Sequence, residues 1–407
     1  MKKIYVVISP FFPTESSFRG PFIYDQVEAI KRTRIFEEVI VFKPTMFTDR
    51  RESYTYKDTT VYLFPTINTP SLLFQGVFNS VNAQLFLSRF DKLNIHSEDI
   101  VYVHAHTAIC APYALALKDK NPAICTILQH HDGDPYTIRN GKLSHWNANI
   151  QYRACTNIGL FEAIDVHVSI SKFVERHLLE FPRINPIDYY DSYRYSLSLV
   201  QNLHAPAIKK SLVLPNGVDT KMFFKSATLP KHGDSFTIGC IGNFQDLKGH
   251  MTLLRAVEKL RHRIPNLRVR LVGSGPTLTE CNEFVLSHEL GAIVFFEEEV
   301  QHYELASFYQ SLDLFVLPSY FEGFGCVYLE ASACGVPFIA CEGQGIEDYI
   351  RPEERHLWLC TPNDEHRLAT MLEHYITHRP QQTLVHEVDI NSLVERFLLE
   401  LQESRKV

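Results

Sequence analysis

The nine cysteines include no CxxC pair; they are scattered singly from Cys110 to Cys360. That excludes a zinc ribbon and a dithiol redox motif. The odd count reads as reduced thiols in a cytoplasmic protein. No Asn-x-Ser/Thr acceptor occurs, which fits the same compartment. There is no basic excess either. Forty Lys and Arg stand against 47 Asp and Glu, a net charge of -7. This argues against a nucleic-acid partner and against a polybasic lipid anchor. No uncharged stretch approaches the ~20 residues that span a bilayer. The start, MKKIYVVISPFFP, is charged like a signal peptide, but its apolar run is only Ile4 to Ile8. Charges return at Glu15 and Arg19, so a buried first strand is expected.

What is present is ordinary globular composition, 45% hydrophobic and 21% charged, over 407 residues. A single core seldom exceeds about 250–300 residues, so two domains are expected. Short β-rich apolar runs at Ile4–Ser9, Val39–Phe42, Ile100–His104, Ile124–Leu128 and Val166–Ser169 alternate with amphipathic segments such as Phe22–Ile30 and Ala111–Leu117. The pattern restarts at Phe236–Ile241, Val269–Val272, Ile293–Phe296, Leu314–Leu317 and Phe338–Ala340. Alternation of this kind means βαβ units, and continuous apolar strands mean parallel sheets buried on both faces. The expected fold class is α/β, with two Rossmann-like domains. The first spans 1–224, a polar linker 225–234, and the second 235–390; a terminal helix, 391–407, has an apolar face at Leu393, Val394, Phe397, Leu398 and Leu401. Phe181 to about Pro206 reads as an irregular insertion, and the apolar Leu72–Phe90 segment as a core helix that lacks a basic interfacial face.

In open α/β sheets, ligands lie beyond the carboxyl ends of the strands, and the chemically suggestive residues follow strands here. The densest stretch is Leu317 to Ala340, LPSYFEGFGCVYLEASACGVPFIA. A helix beginning near Gly325 offers N–H groups to a phosphate, and Glu330, placed about two turns in, can accept a ribose diol. Taken alone, Gly-x-Gly is weak, and an ordinary helix start with a solvated glutamate explains it as well. Gly242-Asn243-Phe244 and Lys248-Gly249 follow strand Phe236–Ile241, where the Lys248 ammonium can meet a diphosphate.

The stretch resembles the signature of retaining GT-B glycosyltransferases, family 4 (glycosyltransferase group 1): two glutamates with seven residues between, then A-x-G-x-P. Glu322, Gly323, Phe324, Gly325, Glu330, Ala333, Gly335 and Pro337 all match. The resemblance implies two Rossmann-like domains with parallel sheets facing a central cleft, the terminal helix packing back on the first. It implies Glu322 at the donor sugar, Glu330 on the ribose and Lys248 on the leaving diphosphate. Many members carry arginine where this chain has Asn243. Leu271-Val272-Gly273-Ser274-Gly275-Pro276 resembles the family's LVGxGP turn, with Gly273 and Gly275 near the nucleotide. Pro215-Asn216-Gly217-Val218-Asp219 resembles its PNGVD turn and reads as structural.

The first half resembles the family loosely. Arg19 and Gly20 occupy the place of its glycine-rich donor loop. Gln129-His130-His131-Asp132-Gly133-Asp134 resembles its His-Gly-x-Asp segment, with His131 and Asp134 as the match, and His104-Ala105-His106 ends another strand. His131 is thereby expected at the sugar; His106, like any lone histidine at a strand end, reads equally as a site residue or as a hydrogen-bonded structural one. Asp132 and Asp134 also read as a DxD metal motif, which belongs to a different glycosyltransferase fold.

The expected activity is transfer of a sugar from a nucleoside-diphosphate sugar to a glycan or lipid-linked acceptor, with retention and without a metal or other cofactor. Cell-surface polysaccharide assembly is the setting the family suggests. The expected location is the cytoplasm, with a peripheral membrane contact if the acceptor is lipid-linked. A nucleotide-sugar-binding protein without transferase activity is the alternative from another class, as is a GT-B hydrolase or epimerase. A Rossmann dehydrogenase is disfavoured because no GxGxxG follows the first strand.

Overall fold

The computed structural model describes residues 2–15, 20–68, 76–131, 156–180, 206–226 and 235–403. The chain divides into two units, Met1–Asn216 with Ile390–Val407, and Gly217–Asp389. The division falls ahead of the expected boundary at 224. Residues after Asn216 are tied to the second unit: Val218 N–H donates to Val388 O at 2.8 Å, and the Phe223 ring lies 6.2 Å from that of Tyr309. Of the expected linker, 227–234 lies outside the described residues, as do 181–205 of the expected insertion.

Among the described residues, the first unit is built on an eight-stranded sheet. Its strands are β1 (Ile4–Ile8), β2 (Glu38–Met46), β3 (Ser53–Tyr56), β4 (Thr59–Thr66), β5 (Ile100–His106), β6 (Cys125–His130), β7 (Val166–Ser169) and β8 (Ser211–Val213). Their order is β3-β4-β2-β1-β5-β6-β7-β8, parallel except for the β3–β4 hairpin. β1 is IYVVI and every residue is buried, as a strand covered on both faces requires. On one face, helix Pro21–Arg32 places Ile23, Val27 and Ile30 in a single core with Ile390, Leu393, Val394, Phe397, Leu398 and Leu401 of helix Ile390–Glu403. The terminal helix is thus part of the first unit. On the other face, helices Asn79–Asp91 and Ala111–Lys120 bring Phe86, Phe90, Tyr113 and Leu117 against Phe42 and Phe64. The expected core helix from Leu72 begins only at Asn79; 69–75 lies outside the described residues.

Among the described residues, the second unit has a six-stranded, all-parallel sheet of β9 (Phe236–Ile241), β10 (Leu267–Val272), β11 (Val294–Glu297), β12 (Leu314–Val316), β13 (Phe338–Cys341) and β14 (Leu359–Cys360). The order β11-β10-β9-β12-β13-β14 is the 3-2-1-4-5-6 of a doubly wound fold, with the reversal between β9 and β12. Helix His250–Leu260 buries Leu253, Leu254, Val257 and Leu260, the spacing seen in the sequence. Helix Glu365–His378 starts at Asp364, whose carboxylate accepts the Arg367 N–H at 2.8 Å.

Candidate active site

The reversal of strand order brings the loops after β9 and β12 side by side. Tyr320 N–H donates to Leu247 O at 2.7 Å, stitching the two loops together. Gly249 takes φ 70°, and a Cβ there would fall 2.1 Å from Pro318 O, so only glycine permits this approach. The approach carries Lys248 to Glu322, Nζ to Oε2 at 2.5 Å, with side chains 20% and 17% exposed. Both ends of the pair remain open to a ligand. An anion can draw the ammonium, and hydroxyl groups can donate to the carboxylate. Behind Lys248, His250 is buried and its ring stacks on Phe244 at 4.0 Å. Burial, with the Lys248 charge next to it, lowers its pKa to about 4, so it is neutral at pH 7.

Gly325 caps helix Cys326–Ala333 at φ 78°, and a Cβ there would meet Tyr328 at 2.5 Å and Glu322 Cγ at 3.0 Å. The first turn of that helix carries no acidic residue and no side-chain cap. This helix start, the positive end of its dipole, lies next to Glu322 and Lys248. Glu330 is the fifth helical residue, just past one turn rather than two. It is 8% exposed and accepts a hydrogen bond from Tyr309 Oη at 2.7 Å, while its other oxygen faces His302 Nε2 at 3.9 Å.

The structure places the other expected donor-site residues as follows. Phe324 turns its ring into the core, 5.2 Å from that of Tyr349. Gly273 (φ 138°) and Gly275 (φ 151°) lie against backbone, where Cβ atoms would fall 2.3 Å from Gly242 O and 2.4 Å from Phe244 O. Their side-chain faces are thus occupied by the loop that carries Asn243 and leads to Lys248. Asn243 is exposed, and Gly323 is buried. Sequence reasoning passed over Tyr309, His302 and Gln344. Gln344 Nε2 donates to Ser319 O at 2.5 Å and Gly345 N–H to Glu322 O at 3.4 Å, bracing the Glu322 loop. Only the three-dimensional packing identifies them, since none belongs to the glycine–glutamate motif.

In the first unit, β5 and β6 end in a cluster of neutral rings. Tyr5 Oη and His104 Nδ1 are 2.8 Å apart, His104 stacks on His106 at 4.6 Å, and His106 Nδ1 lies 3.0 Å from His131 Nε2. Gln26 donates to Gln129 Oε1 at 3.0 Å beside them. On the opposite face, His130 Nε2 is 2.8 Å from His167 Nδ1, whose Nε2–H donates to Phe161 O at 2.9 Å. Burial lowers the pKa of His104, His130 and His167 to about 3, and lowers those of His106 and His131 as well. Neutral imidazoles can donate from one nitrogen and accept at the other, which suits sugar hydroxyls. Among the described residues His131 Nδ1 has no hydrogen-bond partner. Gly20 (φ 87°) begins helix Pro21–Arg32, and a Cβ there would fall 2.7 Å from Phe11 O. Arg19, Asp132 and Asp134 lie outside the described residues. Among the described residues, no three His, Cys, Asp or Glu side chains gather to hold a metal, and no helix is long and apolar enough to cross a membrane.

This architecture is the GT-B fold. Sucrose-phosphate synthase from Thermosynechococcus elongatus matches it with a TM-score of 0.70 at 18% identity, over 100% of this chain and 99% of that one. Anabaena HepE, solved in complex with UDP, matches with a TM-score of 0.65 at 16% identity, over 98% and 100%. Within the fold, residues 222–388 match the family described as Glycosyl transferases group 1, so the second unit carries that domain. The chain is 37% identical over 149 residues to a D-inositol 3-phosphate glycosyltransferase of Paenarthrobacter aurescens, covering 34% of this chain and 36% of the relative. It is 31% identical over 151 residues to a GDP-mannose-dependent alpha-(1-6)-phosphatidylinositol monomannoside mannosyltransferase of Mycolicibacterium smegmatis, covering 34% and 40%. The matches thus span well under half the length of these relatives.

Proposed function

We propose that the protein is a glycosyltransferase that moves a hexose from a nucleoside-diphosphate sugar to a hydroxyl of a glycan or lipid-linked acceptor, with retention at the anomeric carbon. The observation that carries this reading is the meeting of Lys248, Glu322 and the Gly325 helix start at the switch point of the second sheet. Lys248 and the helix N–H groups take the diphosphate, Glu322 the sugar hydroxyls, and Glu330 the ribose. The names of the two relatives, an inositol-phosphate glycosyltransferase and a GDP-mannose-dependent mannosyltransferase, support a sugar nucleotide as donor and a polyol or glycolipid as acceptor. A cytoplasmic enzyme of cell-surface polysaccharide synthesis, touching the membrane peripherally when its acceptor is lipid-linked, fits this chemistry.

In the transfer, the bond from the anomeric carbon to the diphosphate oxygen breaks. The acceptor oxygen bonds to the same face, and its proton passes to the departing diphosphate. The developing charge on the leaving group falls where Lys248 and the helix terminus are fixed, so they act by stabilising it. The first unit receives the acceptor, and its neutral His131 serves as a hydrogen-bonding group for sugar hydroxyls. No metal is required in this scheme because a fixed cation and a helix terminus already offset the diphosphate charge. The test is a transfer assay with UDP-, GDP- and ADP-hexoses against polyol and lipid-linked acceptors, repeated in excess EDTA. Transfer from one donor, unchanged by EDTA, is expected. Hydrolysis or epimerisation without transfer would replace the reading. Activity lost in EDTA and restored by Mn²⁺ would remove the metal-free scheme and direct attention to Asp132 and Asp134.

A further inference from the structure

Glu330 is held asymmetrically, and this bears on how a ribose would be read. Helices Leu305–Gln310 and Cys326–Ala333 bring Tyr309 and Glu330 together inside the second unit, with Tyr309 fully buried. The Tyr309 hydroxyl donates to Oε2 at 2.7 Å. Its ring is fixed by Phe315 at 5.5 Å and Phe223 at 6.2 Å, so the hydroxyl has little freedom to swing away. Such a bond to an ionised acceptor is among the stronger ones, and it commits one carboxylate oxygen to the protein. The other oxygen, Oε1, faces His302 Nε2 at 3.9 Å. That gap is too long for a direct hydrogen bond, yet a single hydroxyl beside both atoms can reach each within bonding distance. The imidazole of His302 is seated edge-on against Phe223 at 5.5 Å, the same ring that steadies Tyr309.

We propose that Tyr309 is a positioning residue that pins Glu330 Oε2, leaving Oε1 for the nucleotide's ribose, and that His302 is a second contact to the same ribose hydroxyl. The inference rests on the donor reading above and deepens it. Phe223, His302, Tyr309 and Glu330 then form one ribose-reading group supplied by three separate stretches of chain.

The experiment compares two probes by calorimetry. One is whichever of UDP, GDP and ADP the wild type binds most tightly; the other is its 2′,3′-dideoxy counterpart. Wild type should prefer the ribose form by about tenfold or more, as expected for charge-assisted hydrogen bonds. Tyr309→Phe, which keeps the ring packing, should shrink that preference to about twofold with the dideoxy affinity unchanged. A merely structural role for Tyr309 would lower both affinities together. His302→Ala should also shrink the preference, and carries the test even if Tyr309→Phe folds poorly. Undiminished ribose preference in both variants, or parallel loss of both probes, overturns the inference while leaving the donor reading intact. A wild type that binds none of the three nucleotides removes the donor reading and this inference with it.

Discussion

Both units run their central parallel strands in the same 3-2-1-4 order, yet they place opposite chemistry at the carboxyl ends of those strands. The first unit presents the buried His104 and His106 and the partly buried His131, rings kept neutral by desolvation and joined to one another and to Tyr5. The second presents the Lys248–Glu322 ion pair and the Glu330 carboxylate, with a helix start beside them. A shared topology therefore fixes where a ligand sits but not which ligand. Fixed charge suits a diphosphate, whose charge changes during transfer. Neutral imidazoles suit hydroxyl groups, since they both donate and accept without the cost of desolvating an ion.

The largest effect should come from the charged unit. Lys248→Ala and Glu322→Gln should each cut turnover by about 10²–10³, the loss expected when a stabiliser of developing charge is removed. Near-normal turnover in a well-folded variant would break the assignment for that residue. A smaller loss is expected in binding. Glu330→Ala should weaken the nucleoside diphosphate and the sugar nucleotide equally, by about 1.5–3 kcal/mol. Weakening of the sugar nucleotide alone would move Glu330 from the ribose to the sugar.

The third prediction concerns pH and falls on the neutral unit. The folded pKa values of His104, His130 and His167 are about 3, below the roughly 6.5 of an unfolded histidine. The stability they contribute is fully present above that value, and it is lost as pH falls toward 3, because the unfolded chain binds protons the folded one refuses. Between pH 6.5 and 5.5 each should cost about 1 kcal/mol. Hydrogen exchange, corrected for intrinsic rates, should show β5–β7 losing protection over this range ahead of β9–β12. Equal loss in both sheets would erase the contrast between the units.

The contrast was only half legible in the sequence. Glu322, Glu330, Lys248 and Gly325 stand out as candidates because the family motif they resemble is local in sequence, and the parallel strands because they are continuous apolar runs. The β3–β4 hairpin was missed because Lys57 takes φ 50° at the turn, where a glycine would have signalled it. The unit boundary was misplaced because pairing of Val218 with residues near Asp389 is long-range and leaves no local mark. Tyr309, His302 and Gln344 were invisible for the same reason. Each matters through a partner more than twenty residues away, Glu330 or the Ser319 backbone. The inward turn of Phe324 also depends on Tyr349, a residue beyond the motif that suggested a donor contact.

The central claim, that the second unit holds the nucleotide by fixed charge, is tested most directly by calorimetric titration of UDP, GDP and ADP into wild type, His131→Ala and Lys248→Ala. The account predicts that one nucleotide binds the wild type, binds His131→Ala with the same affinity, and binds Lys248→Ala at least about tenfold more weakly. Equal binding by wild type and Lys248→Ala, or loss of binding in His131→Ala alone, would contradict it.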